Sequence, residues 1–407
     1  MVKKNRDLEE TFEIGNNNKV SFSIPEVIVV IIISILFGGI IGSSITLSRT
    51  NKSNGKSSSE LSDFVVAYNN IVSDYYNKVD KEKLINSAIE GMINSLEDPY
   101  STFMDSKASE DFNTTVSGQY KGIGATISLI DDQVTVVGIF KDSPAYDAGL
   151  KVGDIILLVN DKDVKGMDLD KVVSLIKKRD KAKLSITRGE EKKEIIININ
   201  DVQIPSVGSE IIERDGNKVG VVSISVFAAN TYEQFKKELD NLEKKSIDSL
   251  VIDVRDNPGG HLEQVTKVLS LFMNKKKVLY QVKENKKKTK FYSLNNDERK
   301  YKIAVLINSS SASASEILTA AMKESYGAVI VGKKSYGKGT VQKEYSLSNG
   351  ASIKYTTEEW LTPKGKSING KGIEPDIDVD LDEKYYDSYA RDDDNQLQTA
   401  INKLLEN

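Results

Sequence analysis

The chain has 407 residues, 39% apolar and 29% charged, with a formal net charge of −4; these values allow several globular domains and give no broad positive field for nucleic acid. It contains no cysteine and one histidine, His261, so thiol nucleophiles, thiolate metal sites, disulfides and multi-histidine zinc centres are excluded, and neither a metal nor another cofactor is expected. Lysine is then the most available base for acyl-transfer chemistry.

In chain order, the first feature is an uncharged stretch, Val27 to Ser48. As a helix it is about 33 Å long, enough for a hydrocarbon core of about 30 Å. It has no small-residue cleavage signal, so an uncleaved anchor over 24–48 is expected, with 1–23 as a cytoplasmic tail and a Ser/Asn/Lys/Gly linker over 49–60. The catalytic region would then be extracytoplasmic, on a single-pass protein of the bacterial cell membrane. Phe64, Val65, Tyr68, Ile71, Val72 and Tyr75 recur at helical spacing, as do Leu84, Ile85, Ala88, Ile89, Met92, Ile93 and Leu96. Residues 61–116 are therefore expected to form a helical region, its apolar stripes packing in a core or helix pair. Asp98-Pro99-Tyr100-Ser101 ends the second helix, since proline disfavours helix in the residue before it.

Residues 117–200 alternate short apolar strands with glycine turns. The order Ser143-Pro-Ala145, Ala148-Gly-Leu150 and Gly153-Asp-Ile-Ile156 resembles a PDZ domain, in the circularly permuted arrangement of bacterial proteases. Such a domain binds a peptide by strand addition, with the terminal carboxylate on backbone amides. The resemblance implies that Tyr120, Lys121, Gly122, Ile123 and Gly124 form the peptide-binding loop, and that the partners are proteins or peptides bearing a free C-terminus.

From Val219 onward, strands and helices alternate, which argues for an α/β layer with its site at the carboxyl ends of strands. Leu250-Val-Ile-Asp-Val254 leads into Asn257-Pro-Gly-Gly260. Ile303-Ala-Val-Leu-Ile-Asn308 leads into Ser309-Ser-Ser-Ala-Ser313-Ala-Ser315-Glu316, and Ala328-Val-Ile-Val-Gly332 into Ser335-Tyr-Gly-Lys338-Gly-Thr-Val-Gln342. This is the layout of a Ser/Lys hydrolase, whose serine needs a base and whose lysine must be desolvated to become one. Spacing alone leaves Ser309, Ser310, Ser311, Ser313 and Ser315 open as nucleophile. Ser313-x-x-Glu316 is equally a helix capping box. A nucleophile near Ser313 would have the Ala314 amide as one oxyanion donor, with Gly259 or Gly260 as the other.

From about Leu61 to Asp380, the chain resembles the carboxyl-terminal processing peptidases of the S41 serine protease family. The motifs are Gly91-Met-Ile-Asn-Ser-Leu-Glu-Asp-Pro-Tyr-Ser101, the PDZ pattern, Val251-Ile-Asp-Val-Arg-Asp-Asn-Pro-Gly-Gly260, the serine and lysine junctions, Leu361-Thr-Pro-Lys-Gly365 and Gly372-Ile-Glu-Pro-Asp376. The implied fold is α/β multidomain: a transmembrane helix, a helical N-terminal region, a circularly permuted PDZ domain inserted before an α/β S41 protease core over 201–382, and a C-terminal tail over 383–407. The resemblance implies Ser313 as nucleophile, Lys338, 25 residues on, as general base, Gln342 as the residue orienting it, and backbone amides of Ala314, Gly259 and Gly260 as the oxyanion hole. It also implies gating of proteolysis by the PDZ domain. Where many relatives carry Leu-Arg-Gly, this chain has Ile176-Lys-Lys178, which leaves Lys177 as the regulatory cation; His261 is read as non-catalytic.

The expected activity is a serine endopeptidase acting on protein C-terminal tails, with a homo-oligomer or an adaptor protein as further partners. The alternative is a catalytically inactive PDZ adaptor, against which the intact Ser313, Lys338 and Gln342 argue. A penicillin-binding type is disfavoured: Ser174-x-x-Lys177 fits its motif, but the Lys-Thr-Gly that should follow is missing.

Overall fold

The computed structural model describes residues 61–406 except 389. The expected membrane span, with its tail and linker, lies outside the described residues; among those described, no helix is long and apolar enough to cross a membrane. The chain divides into two compact units, Met1–Ala88 and Ile89–Asn407. In the first, residues 61–74 are helical and the helix Lys81–Asn94 begins. Phe64, Val65, Ile71 and Tyr75 are exposed rather than packed in the expected helix-pair core.

The second unit holds everything that bears on the site. The strand Thr102–Met104 pairs antiparallel with Ser352, Ile353 and Lys354, so the region expected to be helical over 61–116 contributes an edge to a later sheet. The helix Ser106–Ser117 follows, capped by the Asp105 carboxylate, which accepts from the Ala108 N–H at 2.8 Å, and ended by Gly118 in the left-handed region. Its residues Phe112, Thr115 and Val116 reach the candidate site.

The PDZ-like body closes on itself through the strands Gln119–Gly122 and Asn200–Gln203, which pair antiparallel. Between them lies a six-stranded sheet with Ala125–Ile130 at one edge, paired, among the described residues, only with Gln133–Ile139. The helix Leu169–Lys177 buries Val172 and Ile176 in a core that includes Val136, Ile156, Leu184 and Ile197. A free edge strand beside an amphipathic helix is the arrangement strand addition needs.

The remaining layer is a six-stranded sheet in the order Val207–Arg214, Asn217–Ile224, Ser249–Asp253, Lys302–Ile307, Val329–Gly332, Ile377–Asp378. The first pair is antiparallel and the rest are parallel. Alternate residues serve opposite faces. Val222, Ile224, Leu250, Ile252, Val305 and Ile307 meet Phe235, Leu239, Leu269 and Leu318 from the crossover helices. Val219, Val221, Val251, Ala304, Leu306 and Val331 meet Leu397, Ala400, Ile401 and Leu404. Burial on both faces is why these strands read as unbroken apolar runs.

That second face corrects the expected tail. The helix Asn395–Leu405 is a core element, and Asp394 caps it by accepting from the Leu397 N–H at 2.9 Å. Arg255 ties the cap to the sheet by pairing with both Asp253 and Asp394 at 2.7 Å, while remaining only 8% exposed. A smaller sheet built on Ser352–Leu361 carries Thr102–Met104 and Val278–Glu284 with its hairpin partner Lys287–Tyr292; Thr340–Ser346 also pairs with the central strand.

Candidate active site

Three neighbouring parallel strands, Ser249–Asp253, Lys302–Ile307 and Val329–Gly332, end on the same side of the layer. The turns that follow them carry Gly259 and Gly260, Ser313, and Lys338. All four residues line one cleft of about 540 Å³, together with Ala314, Gln342, His261, Phe112, Lys354 and Trp360. The elements expected to converge at strand ends therefore do converge.

The five serines separate by environment. Ser309 and Ser310 are exposed. Ser311 and Ser315 are fully buried, and their hydroxyls donate to backbone carbonyls, Ser311 to Val254 at 2.8 Å and Ser315 to Asn257 at 2.9 Å. Ser313 alone among them lines the cleft. It sits at φ 54°, ψ −113°, outside the extended range of an ordinary helix cap and in a region that strains a residue bearing a Cβ. The helix it precedes, Ala314–Ala321, is buried along its whole length.

Glu316 does more than cap this helix. It is fully buried, and its carboxylate accepts from four donors: the N–H of Ser313 at 2.9 Å, of Lys338 at 2.8 Å and of Gly337 at 2.8 Å, and the Ser335 hydroxyl at 2.6 Å. One carboxylate thus joins the serine turn to the lysine turn. Burial pushes its carboxyl up, and those donors pull the other way. The Lys338 carbonyl accepts from the Trp360 indole N–H at 2.9 Å, so the lysine backbone is held on both sides.

The Lys338 amine lies 5.2 Å from the centre of the Tyr100 ring. It is pushed down to about 8, by burial first and then by the neighbouring Lys354 ammonium, against the opposing pull of Asp98 and Glu316. Asp98 accepts from Ser101 Oγ at 2.6 Å and from the Tyr100 N–H at 3.1 Å. The proline turn read as a helix end is therefore also part of the lysine's surroundings.

The glycine turn refines the expected oxyanion donors. The Gly259 N–H donates to Asn257 Oδ1 at 2.8 Å, so that amide is already engaged. A Cβ at Gly259 would come within 2.9 Å of Ala312 O, Ser313 Cβ and Ala314 N, so its role is close approach. Among the described residues, neither Gly260 N–H nor Ala314 N–H has an acceptor. Asn257 anchors the turn: its side chain donates to the Ile224 carbonyl at 2.9 Å, and its own carbonyl accepts from the Ala312 N–H at 3.0 Å. Gln342 lines the cleft, but its amide donates to Thr340 Oγ1 at 2.8 Å and Thr356 Oγ1 at 3.2 Å, and no hydrogen bond joins it to Lys338. No group of acidic or histidine side chains suited to a metal ion occurs among the described residues.

A second groove, of about 320 Å³, lies between the edge strand Ala125–Ile130 and the helix Leu169–Lys177 of the PDZ-like body. It is lined by Tyr120, Gly122, Ile123, Ile127, Val173 and Lys177, among others, but not by Lys121 or Gly124. Tyr120 and Lys121 belong to a strand rather than a loop. The Lys177 amine stands 5.8 Å from the Tyr120 ring centre.

Comparison with known proteins agrees with this architecture. The pattern of peptidase family S41 matches residues 218–379, a PDZ domain pattern matches 135–188, and the activating protease CtpB N-terminal domain matches 41–108. The carboxy-terminal processing protease CtpB of Bacillus subtilis is 41% identical over 318 residues, which cover 77% of this chain and 66% of that protein. The carboxy-terminal processing protease CtpA of the same organism is 38% identical over 359 residues, covering 85% of this chain and 76% of the relative. The chain belongs to the S41 carboxy-terminal processing serine proteases. A solved structure described as the photosystem II D1 C-terminal processing protease aligns over 78% of this chain and 92% of its own at 25% identity, with a TM-score of 0.45. Within this S41 chain, sequence reasoning singled out Ser313, Lys338, Gln342 and the glycine turn, and the fold brings them into one cleft. The same reasoning missed Tyr100 and Lys354 and underrated Glu316, whose only sequence signal was its capping spacing.

Proposed function

We propose that this chain is a membrane-anchored, extracytoplasmic serine endopeptidase that takes protein C-terminal tails at its PDZ groove and cleaves nearby peptide bonds with Ser313 and Lys338. The neutral Lys338 amine accepts the Ser313 proton as Oγ attacks the scissile carbonyl. The oxyanion receives hydrogen bonds from the N–H groups of Ala314 and Gly260. The Lys338 ammonium then gives its proton to the leaving amine; a water deprotonated by the same lysine attacks the acyl carbon, and the lysine returns that proton to Ser313 Oγ as the C–O bond breaks. Gln342 keeps its proposed role of orienting the lysine, through a side-chain position that Thr340 and Thr356 fix. Lys177, which lines the PDZ groove, is the proposed regulatory cation.

The observation that carries this reading is the convergence of Ser313 with a lysine pushed down to about 8 in one cleft. Its test is cleavage of an unstructured protein by the full chain in detergent, against Ser313→Ala and Lys338→Ala. Both variants are expected to be folded and silent. A Ser313→Ala variant that cuts as well as the parent would remove the assignment. Membrane anchoring is tested separately, by whether the protein stays with the membrane fraction after an alkaline carbonate wash.

A further inference from the structure

The active-site cleft contains a second lysine that the proposed mechanism does not use. Lys354 lies in the strand Ser352–Leu361, opposite Glu344 on one side and Thr102 on the other. It lines the same cleft as Ser313 and Lys338. Its amine sits 4.6 Å from the centre of the Phe112 ring, and it forms no ion pair among the described residues. A half-buried cation without a salt bridge, in the same cleft as the candidate base, is an expensive arrangement for packing alone.

We propose that Lys354 is a positioning residue for the base: by keeping its own positive charge in the cleft, it holds Lys338 as the free amine that Ser313 needs. The inference rests on the Ser/Lys reading above. Two half-buried ammonium groups sharing one cleft repel, so one proton is held weakly. The charge is better accommodated on Lys354, where the Phe112 face attracts it and Glu344 stands opposite in register. Lys338 faces Tyr100, Asp98 and Glu316. The two carboxylates favour its ammonium form, but both already accept other hydrogen bonds. The downward shift of Lys338 has burial as its first cause and Lys354 as its second. Lys354 is itself lowered by burial and raised by Glu344. Desolvation together with a second cation is a general route to a neutral lysine near physiological pH.

The test is the pH dependence of kcat/KM for the full chain in detergent on an unstructured protein poor in acidic residues. Variants are Lys354→Met, Lys354→Gln and Lys354→Arg, with Ser313→Ala as the blank. Removing the neighbouring charge lets Lys338 keep its proton to higher pH. The two neutral variants should therefore lose cleavage by about threefold or more at pH 7, with the loss vanishing at about pH 10, and Lys354→Arg should keep the parent profile. Competitive acetylation of Lys338, read by mass spectrometry, should show the same order without relying on turnover. The inference is overturned if the rising limb of the neutral variants coincides with that of the parent while Ser313→Ala is silent. It is also overturned if they show only a pH-independent rise in KM for an acidic substrate, which would make Lys354 a substrate anion site. Failure of the underlying reading looks different: Ser313→Ala or Lys338→Ala would then cut like the parent.

Discussion

The two grooves of this molecule are built on opposite terms. The cleft at Ser313 is fixed by buried polar groups that reach across the chain: Glu316 to the lysine turn, Asn257 to the serine turn, Trp360 to the Lys338 carbonyl. The PDZ groove has a mostly apolar lining and, among the described residues, one unpaired strand edge. The first is over-determined and stays in position without substrate, as electrostatic catalysis requires. The second leaves backbone donors and acceptors open along that edge, where the proposed peptide ligand would add a strand. Chemistry and capture thus place different demands on one chain, and substitutions should separate them.

The largest expected effect is at the over-determined site. Ser313→Ala and Lys338→Ala should each lower kcat by about a thousandfold or more without changing affinity for a C-terminal peptide, read by fluorescence anisotropy. Equal losses in both readouts would mean that the grooves are not separable. Next is Glu316→Gln. Both carboxylate oxygens accept two bonds each, so either orientation of an amide sets an NH₂ against two donors. A loss of about 3 kcal/mol in unfolding free energy is expected, with cleavage reduced as the two turns separate; an unchanged denaturation midpoint would contradict the shared-carboxylate account. Third, Val173→Asp should weaken C-terminal peptide binding by about tenfold and leave labelling of Ser313 by a fluorophosphonate intact.

The pH profile is a finer probe of the same contrast. In the proposed mechanism the active form of Lys338 is the neutral amine, and the residue is pushed down to about 8. Cleavage should therefore rise with pH and reach half its plateau near pH 8, while peptide capture stays flat across that limb. The smallest effect is expected for Ser310→Ala, at an exposed position in the serine turn: less than about 0.5 kcal/mol in stability and no change in cleavage.

The layered core and the three junctions were legible because their causes are local. Strands covered on both faces must be apolar at every position, as Leu250–Ile252 and Ile303–Ile307 are, and turns at their ends must use Gly, Ser and Asn. The role of the last helix was not legible. Leu397, Ala400, Ile401 and Leu404 have an ordinary amphipathic spacing, and nothing local says that they cover Val251 and Leu306. The same holds within the site. The approach of Tyr100 to Lys338 spans more than two hundred residues, and Glu316 looks like a capping residue until the lysine turn arrives beside it. Gly259 and Gly260 were equivalent as letters; only the Asn257 side chain distinguishes them, by engaging one amide.

Ser313 carries its side chain at φ 54°, ψ −113°, a conformation that only glycine adopts without cost. The fold therefore carries a strain of roughly 1–3 kcal/mol at the residue proposed as the nucleophile. A glycine there would give a chemically inert protein that outlasts the parent on heating, whereas alanine would leave the strain in place.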